Sequence, residues 1–407
     1  MACRMSRHFV VVGAGQAGFS LAETLRKKGF DGAITMVGDE PVPPYQRPPL
    51  SKAYLLGEMA QERLFFRPES YYQEHNINLH EGVSAEEINP SLRQVTLSDG
   101  STLTYDKLAL TTGAAPHRLP ARIGGDLAGV YTVRTLADVD AMQAEFIQGK
   151  RVLIIGGGYI GLEAAAVAAK LGLKPVLVEM AARILQRVAA TETSDYFRDL
   201  HQSHGVEIIE GVGVEALTGE GRISGARLTD GSEIAVDFAL VGVGIAPRTA
   251  LAEAAGLVLD NGIKLDETCQ TSDPDIFAAG DCASFPLNGT QTRIESVGNA
   301  IDQAAIAAVN MLGAAQPYTP KPWFWSDQYD VKLQIAGLNT GYTDVAVRGK
   351  APNLSHWYYI KNQLIAVDAI NDPRAYMVGK RLIESGRSPA PDTVKDTGID
   401  LKTIMAS

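Results

Sequence analysis

One pattern of apolar and polar positions occurs twice along the chain. Residues 9–40 read FVVVGAGQAGFSLAETLRKKGFDGAITMVGDE, and residues 151–179 read RVLIIGGGYIGLEAAAVAAKLGLKPVLVE. In each, a short apolar run rich in β-branched residues stops at a glycine cluster. A helix-length stretch follows, then a second apolar run that ends on an acidic residue. Both predict a strand, a tight turn, a helix and a second strand. Two passages from strand to loop, LALTTGAAP (108–116) and ALVGVGIAP (239–247), each end in a small-residue turn and a proline, Pro116 and Pro247, as a chain leaving a strand requires. A short apolar strand over 276–279 runs into Gly280 and Asp281, and a helix is expected near Val297 to Leu312.

The glycine spacing gives these units a chemical meaning. Gly13, Gly15 and Gly18 form one G-x-G-x-x-G, and Gly156, Gly158 and Gly161 form the other. The first glycine permits the tight turn, the second lets backbone approach a pyrophosphate, and the third lets helix and strand pack closely. The helix N-terminus then offers free N–H groups to the phosphates. An acid roughly 20 residues on accepts a ribose diol. It is Asp39 or Glu40 in the first unit and Glu179 in the second. Two dinucleotides are therefore expected. Two nicotinamides would have no chemistry to share, whereas a flavin can take hydride from a nicotinamide.

Composition narrows the partners. The 407 residues are long enough for two or three domains. No apolar run approaches the roughly 18 residues of a membrane span. The apolar start HFVVVG enters the first glycine cluster with no cleavage site, which points to the cytoplasm. Met5 could serve as an alternative start, and MACR has no assignable role. Cys3, Cys269 and Cys282 are odd in number, with no C-x-x-C spacing, as in a reducing compartment. His201 and His204 lie near the end of an expected helix with no third ligand nearby, and read as a surface pair. The net charge of −10 argues against nucleic acid. Residues 321–407 hold 11 Lys/Arg and 9 Asp/Glu, so this segment alone has a positive balance.

The order of these features resembles the glutathione-reductase-type fold over nearly the whole chain: a first fingerprint, a T-T-G crossing, a second fingerprint, a G-V-G crossing and a G-D pair. Within it, PPYQRPPLSKAYL (43–55), GGGYIGLE (156–163), RIES (293–296) and PWFWSDQY (322–329) are similar to oxygenase-coupled NADH-dependent ferredoxin reductases. Rubredoxin reductases and apoptosis-inducing factor are more distant relatives. The resemblance implies an α/β protein with two Rossmann-like dinucleotide-binding domains, one for FAD and one for NAD, plus a small α+β C-terminal domain. The FAD domain would comprise residues 1–115 and 245–320, the NAD domain 116–244, and the C-terminal domain 321–407.

The resemblance also implies the residues. FAD would be contacted by Gly13, Gly15, Ala17, Gly18, Asp39, Glu40, Lys52, Ala85, Arg134, Asp281, Val297 and Trp325. NAD would be contacted by Gly156, Gly158, Tyr159, Ile160, Gly161, Glu179, Arg183 and Gly244. Lys52 would lie beside the flavin and pair with Glu163. Disulfide reductases of this fold carry C-x-x-x-x-C where this chain has YQRPPLSK, so electrons must leave the flavin directly. The implied activity is hydride transfer from NADH to FAD, then delivery of single electrons to a [2Fe–2S] ferredoxin serving a cytochrome P-450 or other oxygenase. Alternatives are another acceptor (rubredoxin, oxygen or monodehydroascorbate) or a redox-signalling flavoprotein. Neither nucleic acid nor membrane is an expected partner. Lys332, Arg374, Lys380 and Arg381, chosen by charge, are the candidate ferredoxin contacts.

Overall fold

The computed structural model describes residues 7–406, so Cys3 and Met5 lie outside the described residues. Two compact units form. The first takes the chain up to Gln46, Gln61–Ala115 and Ala246–Pro322, and the second takes Arg47–Ala60, Pro116–Ile245 and the chain from Trp323 on.

The first unit is built on a parallel five-stranded sheet in the order Ile276–Ala278, Lys107–Leu110, His8–Val12, Ala33–Val37 and Ile77–His80. Val10, Val11, Ile34 and Leu108 are fully buried, as strands covered on both faces require. Helix Gln16–Lys27 packs Phe19, Leu21, Ala22 and Leu25 inward and ends on Arg26 and Lys27, favourably placed at the negative end of its dipole. A three-stranded antiparallel sheet, Ala85–Asn89, Gln94–Leu97 and Thr102–Thr104, branches off. The chain returns after residue 245 to supply the edge strand Ile276–Ala278 and helix Val297–Met311.

The second unit repeats this plan. Its parallel sheet runs Glu207–Glu210, Lys174–Glu179, Arg151–Ile155, Phe238–Val241 and Val130–Thr132. Helix Tyr159–Lys170 buries Ala164, Ala165, Ala166 and Ala168, whose short side chains bring it close to the sheet. Again a three-stranded antiparallel sheet follows: Val214–Thr218, Gly225–Leu228 and Glu233–Ala235. The C-terminal part adds an antiparallel sheet in the order Trp323–Gln328, Val331–Gly337, Gln363–Ile370, Asn353–Ile360 and Asp344–Lys350. Helix Pro373–Glu384, N-capped by the Asp372 side chain, packs on it through Ala375, Val378 and Leu382. Two α/β units, each on a parallel sheet, and a C-terminal α+β portion agree with the expected α/β architecture.

Candidate active site

The two glycine turns are geometrically equivalent. Gly13 and Gly156 take φ of +112° and +108°, and a β-carbon there would stand 2.2 Å from Thr111 O and 2.4 Å from Gly242 O. Gly18 and Gly161 face the carbonyls of Gly13 and Gly156, where a β-carbon would fall at 1.9 and 2.1 Å. Between them, Gly15 and Gly158 are the N-caps of their helices, and neither helix has a side-chain cap. A β-carbon at either would meet nothing within 4 Å. Each turn thus leaves an open cradle beside uncapped helix N–H groups, a fit for a pyrophosphate.

The acids differ between the units. Glu179 accepts from Gly157 N at 2.6 Å and from Ala181 N at 2.7 Å, so its carboxylate is fixed against its own glycine loop. Asp39 is exposed and pairs with Arg248 at 2.8 Å, while Glu40 accepts from the Tyr45 hydroxyl at 2.6 Å. The Arg183 guanidinium donates to the carbonyls of Ala189 and Ala190 and to Ser194 Oγ. Gly244, at φ +100°, accepts from His117 N at 2.9 Å and lies near exposed Arg187. Ile160 is 47% exposed on the first turn of its helix. Beside it, the Tyr159 hydroxyl is buried without a partner, and burial pushes its pKa well up.

In the second unit the 3-10 turn Pro48–Ser51 delivers two side chains to Glu163 on helix Tyr159–Lys170. Lys52 Nζ lies 3.0 Å from Glu163 Oε1, and Ser51 Oγ donates to Oε2 at 2.8 Å. A third donor, Ser326 Oγ, reaches Oε1 at 2.7 Å. Glu163 is 3% exposed. Burial pushes its carboxyl up, and Lys52, Ser326 and Ser51 act against that. Removing one partner of such a buried pair costs about 3–5 kcal/mol if the other stays charged. Trp325 lies 5.8 Å from Lys52 Nζ and stacks on Trp323 at 5.5 Å.

The remaining candidates are distributed. Ala17 is buried, and Gly280 closes on it so that a β-carbon at 280 would stand 3.1 Å from the Ala17 methyl. Asp281 is half-buried, and Val297 opens the helix that Ser296 caps through Asn299 N. Ala85 opens its strand next to a bulge. Arg134, in the second unit, offers its carbonyl to Arg47 at 2.6 Å. Cys269 and Cys282 are free, buried thiols whose pKa burial pushes up.

One expectation is overturned. His201 is not a surface residue but fully buried, because helix Thr191–Ser203 turns Phe197 and His201 inward at i, i+4 spacing. Only His204 is exposed, stacked on Tyr329 at 3.7 Å. Sequence reasoning also passed over Ser51, Ser326, Gln328 and Gly157. The alternation in WFWSDQ was the available signal, since it sets Phe324, Ser326 and Gln328 on one face and the two tryptophans on the other.

Paired glycine cradles, each on its own parallel sheet, and a buried ion pair define a two-dinucleotide oxidoreductase. The chain belongs to the pyridine nucleotide-disulphide oxidoreductase family, whose model matches residues 7–304, and residues 323–405 match the reductase C-terminal model. As such it is an oxidoreductase that works with FAD and a nicotinamide nucleotide. It is 40% identical to the 5,5'-dehydrodivanillate O-demethylase ferredoxin reductase subunit of Sphingobium sp., over 98% of this chain and 99% of that one. It is likewise 40% identical to putidaredoxin reductase of Pseudomonas putida, over 98% and 96%. Among solved structures it resembles the covalent putidaredoxin reductase–putidaredoxin complex, with TM-score 0.95, 39% identity and 98% coverage of both chains.

Proposed function

We propose that this protein is a cytoplasmic, FAD-dependent NADH:ferredoxin reductase that feeds single electrons to a [2Fe–2S] protein of an oxygenase system. The observation that carries the reading is the Lys52–Glu163 pair. The segment where disulfide reductases of this fold hold a redox cysteine pair instead brings a lysine to a buried carboxylate. One named relative is the ferredoxin reductase subunit of an O-demethylase and the other is a putidaredoxin reductase, which supports the same reading. Among the described residues no helix is long and apolar enough to cross a membrane.

FAD, when bound, supplies the step from a two-electron hydride to one-electron delivery. The residues proposed to hold it in the first unit are Gly13, Gly15, Ala17, Gly18, the Asp39–Glu40 pair, Ala85, Asp281 and Val297. Gly156, Gly158, Gly161, Glu179 and Gly244 are proposed to hold the nicotinamide nucleotide, with Tyr159 and Ile160 at the mouth of that cradle. Glu163 holds the Lys52 ammonium in place at 3.0 Å. A cation held in advance favours an electron-rich reaction partner without reorganising at the moment of transfer. Arg134 and Trp325 are proposed as further FAD contacts, Trp325 beside Lys52.

Anaerobic mixing of the FAD-loaded enzyme with NADH and a [2Fe–2S] ferredoxin tests this. Ferredoxin should be reduced, and oxidised glutathione and lipoamide should not. Lys52→Met should slow flavin reduction by NADH at least tenfold, with FAD still bound. Efficient disulfide reduction, or no ferredoxin reduction while ferricyanide turnover persists, would reject the assignment.

A further inference from the structure

Glu163 stands at the end of a line of hydrogen bonds that begins at the half-buried Tyr329. The distances are 3.1 Å from Tyr329 OH to His201 Nδ1, and 2.7 Å from His201 Nε2 to Gln328 Oε1. They continue at 3.1 Å from Gln328 Nε2 to Ser326 Oγ and 2.7 Å from Ser326 Oγ to Glu163 Oε1. Every member lies in the second unit, and His201, Gln328 and Ser326 are fully buried.

The direction of this line follows from donor and acceptor capacity. An ionised carboxylate only accepts, so the single Ser326 proton points at Glu163. Ser326 must then accept from the Gln328 amide nitrogen, which turns the Gln328 carbonyl toward His201. That carbonyl needs a donor, so His201 carries its proton on Nε2. Its bare Nδ1 accepts from Tyr329. All four donors therefore face one way, and their dipoles end on the Glu163 oxygen that also contacts Lys52.

We propose that His201, Gln328 and Ser326 are positioning residues whose aligned hydrogen bonds keep Glu163 ionised in its buried site, and so keep Lys52 anchored as its cation. Chains of hydrogen bonds polarise one another, and in a low-dielectric interior the alignment strengthens the last bond. Lys52 faces Glu163, and exposed His204 lies beside His201. Burial holds His201 down at about 4, so the Nε2–H tautomer persists well below neutral pH. The structural claim is independent of the ferredoxin-reductase reading. Only its consequence at the hydride step rests on that reading.

Three measurements on the full-length, FAD-loaded enzyme test it and its consequence. Nitrogen-15 NMR of the histidine rings, with His201 assigned by its loss in His201→Asn, should find His201 neutral and protonated on Nε2 from pH 8 to pH 5. An Nδ1–H ring, or an imidazolium at pH 6, overturns the proposal. Difference infrared titration then follows the carboxyl band lost in Glu163→Gln. In Ser326→Ala, in Gln328→Glu, which keeps the shape and replaces the amide donor, and in the milder Tyr329→Phe, the Glu163 midpoint should move up. The first two should raise its proton affinity roughly tenfold, and the third less. Folded variants with an unmoved midpoint overturn the proposal. In stopped flow the same variants should lower the limiting rate of flavin reduction and leave the apparent affinity for NADH intact. A moved midpoint with an unchanged rate sustains the relay and instead rejects the role of the pair in hydride transfer.

Discussion

Glu179 Oε2 lies 2.6 Å from Gly157 N, and a methyl group at 157 would stand 3.2 Å from that same oxygen. The middle glycine of the G-G-G run thus keeps a fixed negative charge against the loop proposed to receive the nicotinamide nucleotide. That charge repels a 2′-phosphate. Arg183, the cation four residues past Glu179, is occupied by Ala189, Ala190 and Ser194.

NADH should therefore be preferred over NADPH. Glu179→Gln should raise kcat/KM for NADPH roughly tenfold, about 1.4 kcal/mol. Arg183→Ala should lower stability and leave the preference alone. Equal efficiency with the two nucleotides in the wild-type enzyme would contradict this, as would a preference that responds to Arg183 and not to Glu179.

The glycines separate fold from ligand. At Gly15 a β-carbon meets nothing within 4 Å, whereas at Gly18 it meets the Gly13 carbonyl. Gly15→Val should yield a folded, colourless protein. Gly18→Val should lower the melting temperature of the protein itself, since overpacking costs about 1–3 kcal/mol or more. The wild-type protein should release FAD on heating, identified by chromatography. A yellow Gly15→Val protein would show that the cradle is not where the flavin phosphates bind.

These contrasts mark how far the sequence could be read. The two glycine turns were legible because local backbone geometry dictates residue type at short, fixed spacing. The Lys52–Glu163 pair came from resemblance alone, since 110 residues lie between the two and no local pattern joins them. His201 was misread for a related reason. Its burial depends on Gln328, a residue of a distant strand, and a polar residue near a helix end looks the same in sequence whether or not something packs over it. Ser326 and Gln328 were hidden behind the tryptophans on either side, although strand alternation separates them.

Buried titratable groups set a pH dependence of stability. Burial holds the imidazoles of His201 and His356 down at about 4, and pushes Asp368 up to about 6. Between their ordinary value of 6.5 and about 4, each histidine binds a proton only when unfolded, so stability falls as pH falls. Asp368 has the opposite sign: between 3.8 and about 6 its proton is held only in the folded state. Two histidines against one aspartate leave one proton taken up on unfolding. Acidification from pH 6 to pH 4 should then cost about 1.4 kcal/mol per pH unit from these groups. His201→Asn should remove that amount from the slope, leaving His356 and Asp368, which Thr193 bridges, to cancel. Melting curves of both proteins across this range check it, and parallel slopes would refute it.

The last prediction concerns where the proposed ferredoxin docks. Its four candidate cations are not equivalent. Arg374 pairs with Asp400 at 3.2 Å, and Arg381 reaches Met405 Sδ. Lys332, by contrast, lines a shallow cavity of about 270 Å³ with Trp323, Phe324, Trp325, Gln334 and Tyr376. Lys380 Nζ sits 5.7 Å from the Trp323 ring, with Glu384 4.0 Å away. Aromatic rings framed by two lysines suit a partner with an acidic rim and a small apolar contact. Lys332→Glu with Lys380→Glu should raise KM for an acidic ferredoxin several-fold and leave NADH:ferricyanide turnover unchanged. Arg374→Glu with Arg381→Glu should do less. Because exposed charges are screened beyond about 8–10 Å at physiological ionic strength, added salt should weaken ferredoxin reduction in the wild type and much less in the lysine variant. Ferredoxin reduction indifferent to salt and to the lysine reversals would move the docking face elsewhere. A larger effect from the arginine pair would place it on the side where Arg374 and Asp400 meet.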